Sequence, residues 1–400
     1  MNRFVRDRVT WFGYILVTLY GVYLNMLGPI APFMKSELGL SYTLSSLHFS
    51  AFAAGILVIG FAGNALVGVL GRRRSIWLGV GGGGFGSLLL AAGRTAYITI
   101  PASFVMGLLG SFMLVMGPLI LSERHGDRRS IALAEGNVMA SSFAALVPLL
   151  VGWAAASRLG WRVVPVVGAA IPILLFLMFN RTLPEGIVQA SDKAFARGRR
   201  LPHSYWVFWT ALMFSVSVEF CMIFWGAGYL HAQHGLSLAA AAAALSLFLG
   251  GMIVGRLLTS ILARAMAPLR IILGSALLAL AGFSLFWLSS STSASLAGLF
   301  LTGLGVAALY PLIQSLALGS AKDCGLRAAA GTTLASGSAI FALPLVLGRF
   351  ADFLGIGRAF GIVGVLLLAV FLVIAIMRFL KEPECLDRKD CASPNPKHDQ

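Results

Sequence analysis

Two ionisable residues stand deep inside long apolar stretches of this sequence, Glu219 in the run 204–230 and Arg256 in the run 237–263. A charge at the centre of a bilayer costs about 2.5–3.5 kcal/mol on insertion scales, so a residue kept there is a candidate for function. Glu219 is flanked by Ser215, Ser217 and the aromatics Phe220, Phe224 and Trp225. Withdrawing a carboxyl from water penalises its charged form, the property a proton-coupling group needs. The same position suits a contact to a cationic or hydroxylated solute group, or a purely structural bond to a neighbouring helix. Arg256 follows Gly255. Its guanidinium can clamp a carboxylate through two parallel hydrogen bonds, or only brace one side of a helix bundle. At a rise of about 1.5 Å per residue the two lie ~10 Å apart in depth, so the sequence does not require them to touch.

Other polar residues are weighed the same way. Asn25 and Tyr20, in the first apolar run, are candidates for solute contact. Glu135 and Asn137 follow Arg128 and Arg129, so Glu135 is either a helix-start acid among arginines or a conformational group. His48 is expected to be a hydrogen-bonded packing residue, and Asp352, between Arg349 and Arg358, a surface ion pair. The glycines from Gly79 to Gly86 suggest a phosphate loop, but no strand precedes them and no Gly-Lys-Ser/Thr is present. Small residues four apart (Gly79/Gly83, Gly82/Gly86, Gly251/Gly255) instead let membrane helices approach closely. With no nucleotide motif, ATP on this chain does not power it. The four cysteines are Cys221 in a helix, Cys324 in a loop, and Cys385 and Cys391 in a polar tail. They form no disulfide or metal-ligand pattern, and neither a metal nor a cofactor is expected.

The elements that must hold these side chains follow from composition. The chain has 400 residues, 58% hydrophobic and 11% charged, against roughly a quarter charged in soluble domains. Its apolar runs exceed the ~20 residues that cross a ~30 Å hydrocarbon core, and in lipid each must satisfy its own backbone, so they are helices. Twelve spans are expected, at 11–34, 44–70, 75–93, 98–121, 131–155, 162–180, 204–230, 237–263, 270–289, 294–318, 328–350 and 359–378. The first is too long for a cleaved signal peptide and reads as an uncleaved anchor. With both termini in the cytoplasm, 23 of the 30 Lys and Arg fall inside and six outside, with Arg256 within a span, the asymmetry of the positive-inside rule. The net charge of +15 is then a topology signal and a contact for anionic headgroups, and nucleic acid is not an expected partner.

The second half of the sequence echoes the first. Gly39-Leu40-Ser41 matches Gly235-Leu236-Ser237, Gly55 and Gly60 match Gly250 and Gly255, Pro118-Leu119-Ile120 matches Pro311-Leu312-Ile313, and Pro148 and Gly152 match Pro344 and Gly348. Four ordered matches at nearly one offset imply a parallel duplication about an axis along the membrane normal. Glu219 then corresponds to Tyr23, beside Asn25. The expected organisation is an N-terminal six-helix bundle over 1–180, a basic cytoplasmic linker 181–203, a C-terminal six-helix bundle over 204–380 and a polar cytoplasmic tail 381–400.

On these features the chain resembles the major facilitator superfamily over essentially all of 1–380. The family's loop signature between helices 2 and 3 is kept as Gly71-Arg72-Arg73-Arg74, with Gly68 where the family has an acid. Gly160-Trp161-Arg162 and Gly28-Pro29-Ile30-Ala31-Pro32 are also similar to family patterns, and the antiporter signature survives only as Pro148 and Gly152. The resemblance implies an all-α fold of twelve transmembrane helices in two six-helix bundles. It makes Arg72, Arg73 and Arg74, with Glu135, gating or conformational candidates. It adds Tyr310 and Gln314, on a helix that lines the family's cavity, to the solute or proton site of Glu219, Arg256, Asn25 and Tyr20. The function implied is not enzymatic: secondary transport of a small organic solute, a carboxylate among the options, by proton-coupled alternating access. An exporter of amphipathic compounds and a non-transporting receptor of the same fold are the alternatives, with a channel third. The expected setting is a monomer in the plasma (bacterial inner) membrane, whose partners are the solute, protons and the bilayer.

Overall fold

The computed structural model describes residues 5–181, 201–321 and 325–380. Most of the expected linker, together with Cys324 and the tail that carries Cys385 and Cys391, lies outside the described residues.

Regular structure among the described residues is helical throughout. The first half of the chain forms α1 (Arg8–Leu38), α2 (Tyr42–Leu70), α3 (Arg72–Ala92), α4 (Ala96–His125), a short 3₁₀ turn (Gly126–Arg128), α5 (Arg129–Ala156) and α6 (Val163–Phe179). The second forms α7 (His203–His234), α8 (Leu238–Leu262), α9 (Pro268–Leu288), α10 (Thr292–Val306), α11 (Leu309–Ser320), α12 (Gly325–Leu354), α13 (Ile356–Ala359) and α14 (Gly361–Leu380). Eleven helical segments are long and apolar enough to cross a membrane, and α6 adds a shorter apolar helix. Together they account for the twelve expected spans.

The repeated Gly-Leu-Ser has one job in both places. Gly39 and Gly235 adopt left-handed φ of 62° and 63° and end α1 and α7, a conformation glycine reaches without a Cβ penalty. Two residues on, Ser41 and Ser237 accept from Leu44 N and Ala240 N and start α2 and α8, each satisfying an orphan donor of the new helix.

Two expected spans are not continuous. The span 294–318 is broken between Val306 and Leu309, where Pro311 removes an N–H and its ring excludes the carbonyl four residues earlier. Its first-half counterpart, Pro118, is carried inside an unbroken α4. The span 359–378 begins earlier, with α13, and turns at Phe360 before α14.

Packing within the halves runs in corresponding pairs. In the first, α4 lies against α1, α2 and α3, α5 against α1, and α6 against α3; in the second, α10 lies against α8 and α9, α11 and α12 against α7, and α14 against α9, although α14 also packs on α7 where α6 barely meets α1. The halves meet through α2 with α12 and α5 with α8. The glycine run is a packing surface, as expected. A Cβ at Gly79, Gly82 or Gly83 would collide with Phe112, Leu109 or Tyr23, and one at Gly251 or Gly255 with the α10 carbonyls of Phe300 and Leu304. His48 is buried, its Nε2 2.8 Å from Thr99 Oγ1, and so joins α2 to α4.

Asp352 differs from expectation. Its carboxylate takes Tyr42 N and Thr43 N at 2.8 and 2.9 Å and the Thr43 hydroxyl at 2.5 Å. It therefore caps the first turn of α2 across the junction of the halves, rather than forming a surface ion pair with its neighbouring arginines. Uncapped N–H groups at a helix N-terminus attract a carboxylate more specifically than a solvated guanidinium does.

Candidate functional site

A cavity of about 600 Å³ lies between the halves. Most of the helices that line it contribute by helical spacing. Asn137, Ser141 and Ala144 come from one face of α5, and Thr333, Ser336, Gly337 and Ile340 from one face of α12, as an i, i+3, i+4, i+7 pattern requires. Tyr20 and Asn25 of α1, Ser111 of α4, Glu219 of α7, Arg256 of α8 and Tyr310 of α11 complete its polar lining. Much of the rest is apolar, including Val216, Phe220, Leu249 and Met252.

The sequence left the two charged residues ~10 Å apart in depth by helical rise; the structure brings them within reach. Arg256 Nη2 is 3.9 Å from Glu219 Oε1, the side chains being 44% and 16% exposed. The nearer partner of the arginine is Ser141 Oγ, which accepts from Nη1 at 2.6 Å. Arg256 thus reaches across the junction to α5 while standing at the edge of pairing distance from Glu219. A guanidinium held this way keeps donors free for a carboxylate or a similar planar anion.

Five of the six solute-site candidates line the cavity, and one does not. Gln314 donates toward Thr332 Oγ1 at 3.4 Å and is not among the lining residues. Tyr23, which the sequence matches align with Glu219, also turns away: it is buried and donates to Gly168 O at 2.9 Å. Asn25 lines the cavity and spends one amide hydrogen on Gly21 O at 2.9 Å. The hydroxyls of Ser141, Thr333 and Ser336 were not singled out from sequence. Ser141 was legible as the residue one turn after Asn137, whereas nothing in the 331–340 pattern marks which face of α12 turns inward.

The expected conformational residues work within the first half. Glu135 accepts from Arg6 Nε and Nη2 at 2.8 and 2.6 Å and from Tyr14 OH at 2.8 Å, tying α5 to the start of α1. Arg72 pairs with Glu123 of α4. Arg73 donates to both Asn180 O and Asn180 Oδ1 at 3.0 Å, fastening α3 to the end of α6. Arg74 is exposed. Beside them Asp7 caps α1 through Thr10 N and pairs with Arg124 at 2.6 Å. Burial pushes the Asp7 carboxyl up, but the bonds from Thr10 and the Arg124 guanidinium outweigh it and hold the group below the usual carboxylate range.

The cavity is closed off at one end. Bonds and close approaches between the halves run from Asp352 with Tyr42 and Thr43, through Ser50 Oγ to Phe341 O at 2.8 Å, to Ser246 Oγ with Ala145 O at 2.8 Å and Arg256 with Ser141. Phe49 stacks on Phe224 at 4.0 Å between ring centroids, and a Cβ at Gly28 would overlap the carbonyl of Ile223. Beyond Ser141 and Arg256, toward the end that carries the start of α1, no hydrogen bond between α5 and α8 is found among the described residues.

Known proteins give a consistent picture. The family model of the Major Facilitator Superfamily matches residues 13–343. An uncharacterized MFS-type transporter of Yersinia pestis is 24% identical over 360 residues, which cover 86% of this chain and 88% of the relative. Among solved structures, a bacterial homologue of the human lysosomal transporter Spinster, in an inward-facing and occupied conformation, superposes with a TM-score of 0.78 at 14% identity, over 95% of this chain and 98% of that one. The D-xylose–proton symporter superposes with a TM-score of 0.72 at 14% identity, over 92% and 96%. At such identities the likeness of the structures is one of fold.

Proposed function

The chain belongs to the major facilitator superfamily and is a multi-pass membrane transporter, not an enzyme, and on that premise we propose that it carries a small organic solute bearing a carboxylate, with Glu219 binding the coupling proton. Secondary transport of a small solute by alternating access is the activity of the family. The carboxylate and the proton are read from the cavity. One acid and one base face each other at 3.9 Å between otherwise apolar and hydroxyl-bearing walls, and this observation carries the proposal. A solute carboxylate that engages Arg256 takes the charge nearest to Glu219, and an acid left unpaired in such a setting is neutralised most simply by a proton.

Alternating access here is the rocking of two six-helix bundles, 1–180 and 204–380, joined by the linker 181–203. The corresponding helix pairs of the two halves and the shared Gly-Leu-Ser cap support a parallel twofold relation between them. The basic ends of the helices support placing both termini in the cytoplasm of the cell, with the bilayer in question the plasma (bacterial inner) membrane. The closed end then faces away from the cytoplasm. The protein works as a monomer in this scheme, because both walls of the cavity come from one chain.

The apolar lining by Val216, Phe220, Leu249 and Met252 favours a second reading, export of an amphipathic compound. A thermal-shift screen of the purified protein against carboxylates, neutral metabolites and cationic drugs tests both, since a ligand raises the melting temperature of the state it binds. Carboxylates that stabilise the wild type and not Arg256→Gln support the first reading. Stabilisation by neutral or cationic amphipaths alone replaces it with the second.

A further inference from the structure

A second cavity, of about 230 Å³, lies at the shut end, where the halves meet. Lys35 and Tyr42 reach it from α1 and α2, and Phe224, Trp225 and His231 from α7. Its aromatic walls are fixed in place. Trp225 donates its indole N–H to Pro344 O at 3.0 Å and stands 5.7 Å from Tyr42 between ring centroids, and Phe224 is held by its stack on Phe49.

The charges of this corner do not balance locally. Lys35 Nζ lies 4.2 Å from the centroid of the Tyr42 ring, and among the described residues no carboxylate is within ion-pair distance of it. The two acids of this end are engaged elsewhere. Glu37 is taken by Arg94, Arg162 and the Trp161 indole, and Asp352 by the first turn of α2. Across the cavity, His231 commits its Nδ1 hydrogen to Leu236 O at 2.7 Å and brings no negative charge. A cation over a ring is a weaker partner for an ammonium than a carboxylate oxygen in direct contact, so an anion that enters improves on what Lys35 has.

We propose that this cavity is a second anion site, separate from the central one and at the closed end of the protein, and that it takes a small aromatic carboxylate. The ring lies against the Tyr42 and Trp225 walls, and the carboxylate meets Lys35. The size agrees: at roughly 30 Å³ for each water-sized group, the space is that of one six-membered ring with a carboxylate. Because the walls come from both halves, the site is complete only while they are closed at this end. An occupant therefore stabilises that state and opposes opening toward its own side, by its differential affinity for the two states. The central site does not enter this inference, which stands whatever solute Arg256 binds.

The test uses 4-bromobenzoate as the probe, titrated into the purified full-length protein in neutral detergent, with quenching of tryptophan fluorescence by the bromine as the readout. Saturable quenching is expected, weakened about tenfold or more by Lys35→Gln, as for loss of a charged partner, and recovered by Lys35→Arg. Arg256→Gln leaves it unchanged, and the uncharged 4-bromobenzyl alcohol gives no saturable signal. Wild-type affinity in Lys35→Gln, or an equal response to the alcohol, overturns the proposal. Loss of the signal in Arg256→Gln alone moves the ligand to the central cavity and overturns it as well, as does the absence of any saturable quenching.

Discussion

Arg256 donates to Ser141 Oγ at 2.6 Å while its other terminal nitrogen stands 3.9 Å from Glu219 Oε1, so the cation of the central cavity is anchored to the opposite half and only loosely to its acid. A half-exposed ion pair at that distance is worth about 0–1 kcal/mol. A solute carboxylate in direct contact gains about 1.5–3 kcal/mol for each charge-assisted bond and displaces little. Arg256→Ala is therefore expected to weaken binding of an anionic solute by a few kcal/mol, measured by calorimetry with whichever carboxylate the thermal screen identifies. Ser141→Ala is expected to cost less than tenfold, since it frees the guanidinium rather than removing it. Equal affinity in Arg256→Ala takes the arginine out of the site.

Glu219 tests coupling separately from binding. Glu219→Gln keeps the shape and hydrogen-bonding capacity of the side chain and removes its exchangeable charge. In proteoliposomes the variant is expected to lose uptake driven by an imposed pH gradient and to keep solute-for-solute counterflow, because exchange needs no net proton movement. Unchanged gradient-driven uptake ends the coupling role of Glu219 and leaves the solute site untouched.

The start of α1 supplies a pH prediction. The Asp7 carboxyl is held below its ordinary range by Thr10 and Arg124, against the opposing effect of burial. A depressed native pKa contributes stability that is present above the unfolded value of about 3.9 and is lost as pH falls through the lower native value. Asp7→Ala is thus expected to lower the melting temperature at pH 7, as for loss of an N-cap worth about 0.5–2 kcal/mol. The gap between wild type and variant should narrow toward pH 3. A gap of the same size at both pH values shows that the charge of Asp7 contributes nothing.

Most of the fold was legible because lipid makes length and hydropathy decisive. Each span had to be an apolar helix, and the Gly-Leu-Ser matches stood out as a repeat whose capping role only the structure gave. The breaks at Ala307 and Phe360 were not, since proline at Pro118 is absorbed by its helix while Pro311 is not, and only the surrounding packing separates the two. In the site, Glu219 and Arg256 stood out because charge is rare in such runs, but depth counted along the chain could not show that a long guanidinium spans the gap between α8 and both α5 and α7. Gln314 was misplaced for a related reason. It is one turn from Tyr310, but the break before α11 sets which face of that short helix meets the cavity, and the glutamine bonds Thr332 instead. Asp352 was read from its sequence neighbours, whereas its partners lie 309 and 310 residues away.

That long-range contact gives the last prediction. Asp352 accepts three hydrogen bonds from the first turn of α2, and all three join the halves at the shut end. None can survive if that end opens, so the carboxylate favours the state seen here by whatever the bonds are worth. Asp352 is exposed, which argues for a figure below the usual 1.5–3 kcal/mol of a charge-assisted bond, about 1 kcal/mol in all, or roughly fivefold in the balance of the two states. Asp352→Ala is expected to shift the protein by that factor toward opening at this end. Spin labels at Tyr97 and Leu288 report it without touching the contact, since these side chains are 92% and 69% exposed and sit at the same end on opposite halves, once the native cysteines are replaced. A longer distance should gain population in Asp352→Ala and lose it again in Asp352→Glu, which keeps the acceptor. If the distance distribution is the same in all three proteins, the cap on α2 is structural and other contacts, the Phe49–Phe224 stack first among them, hold the end closed.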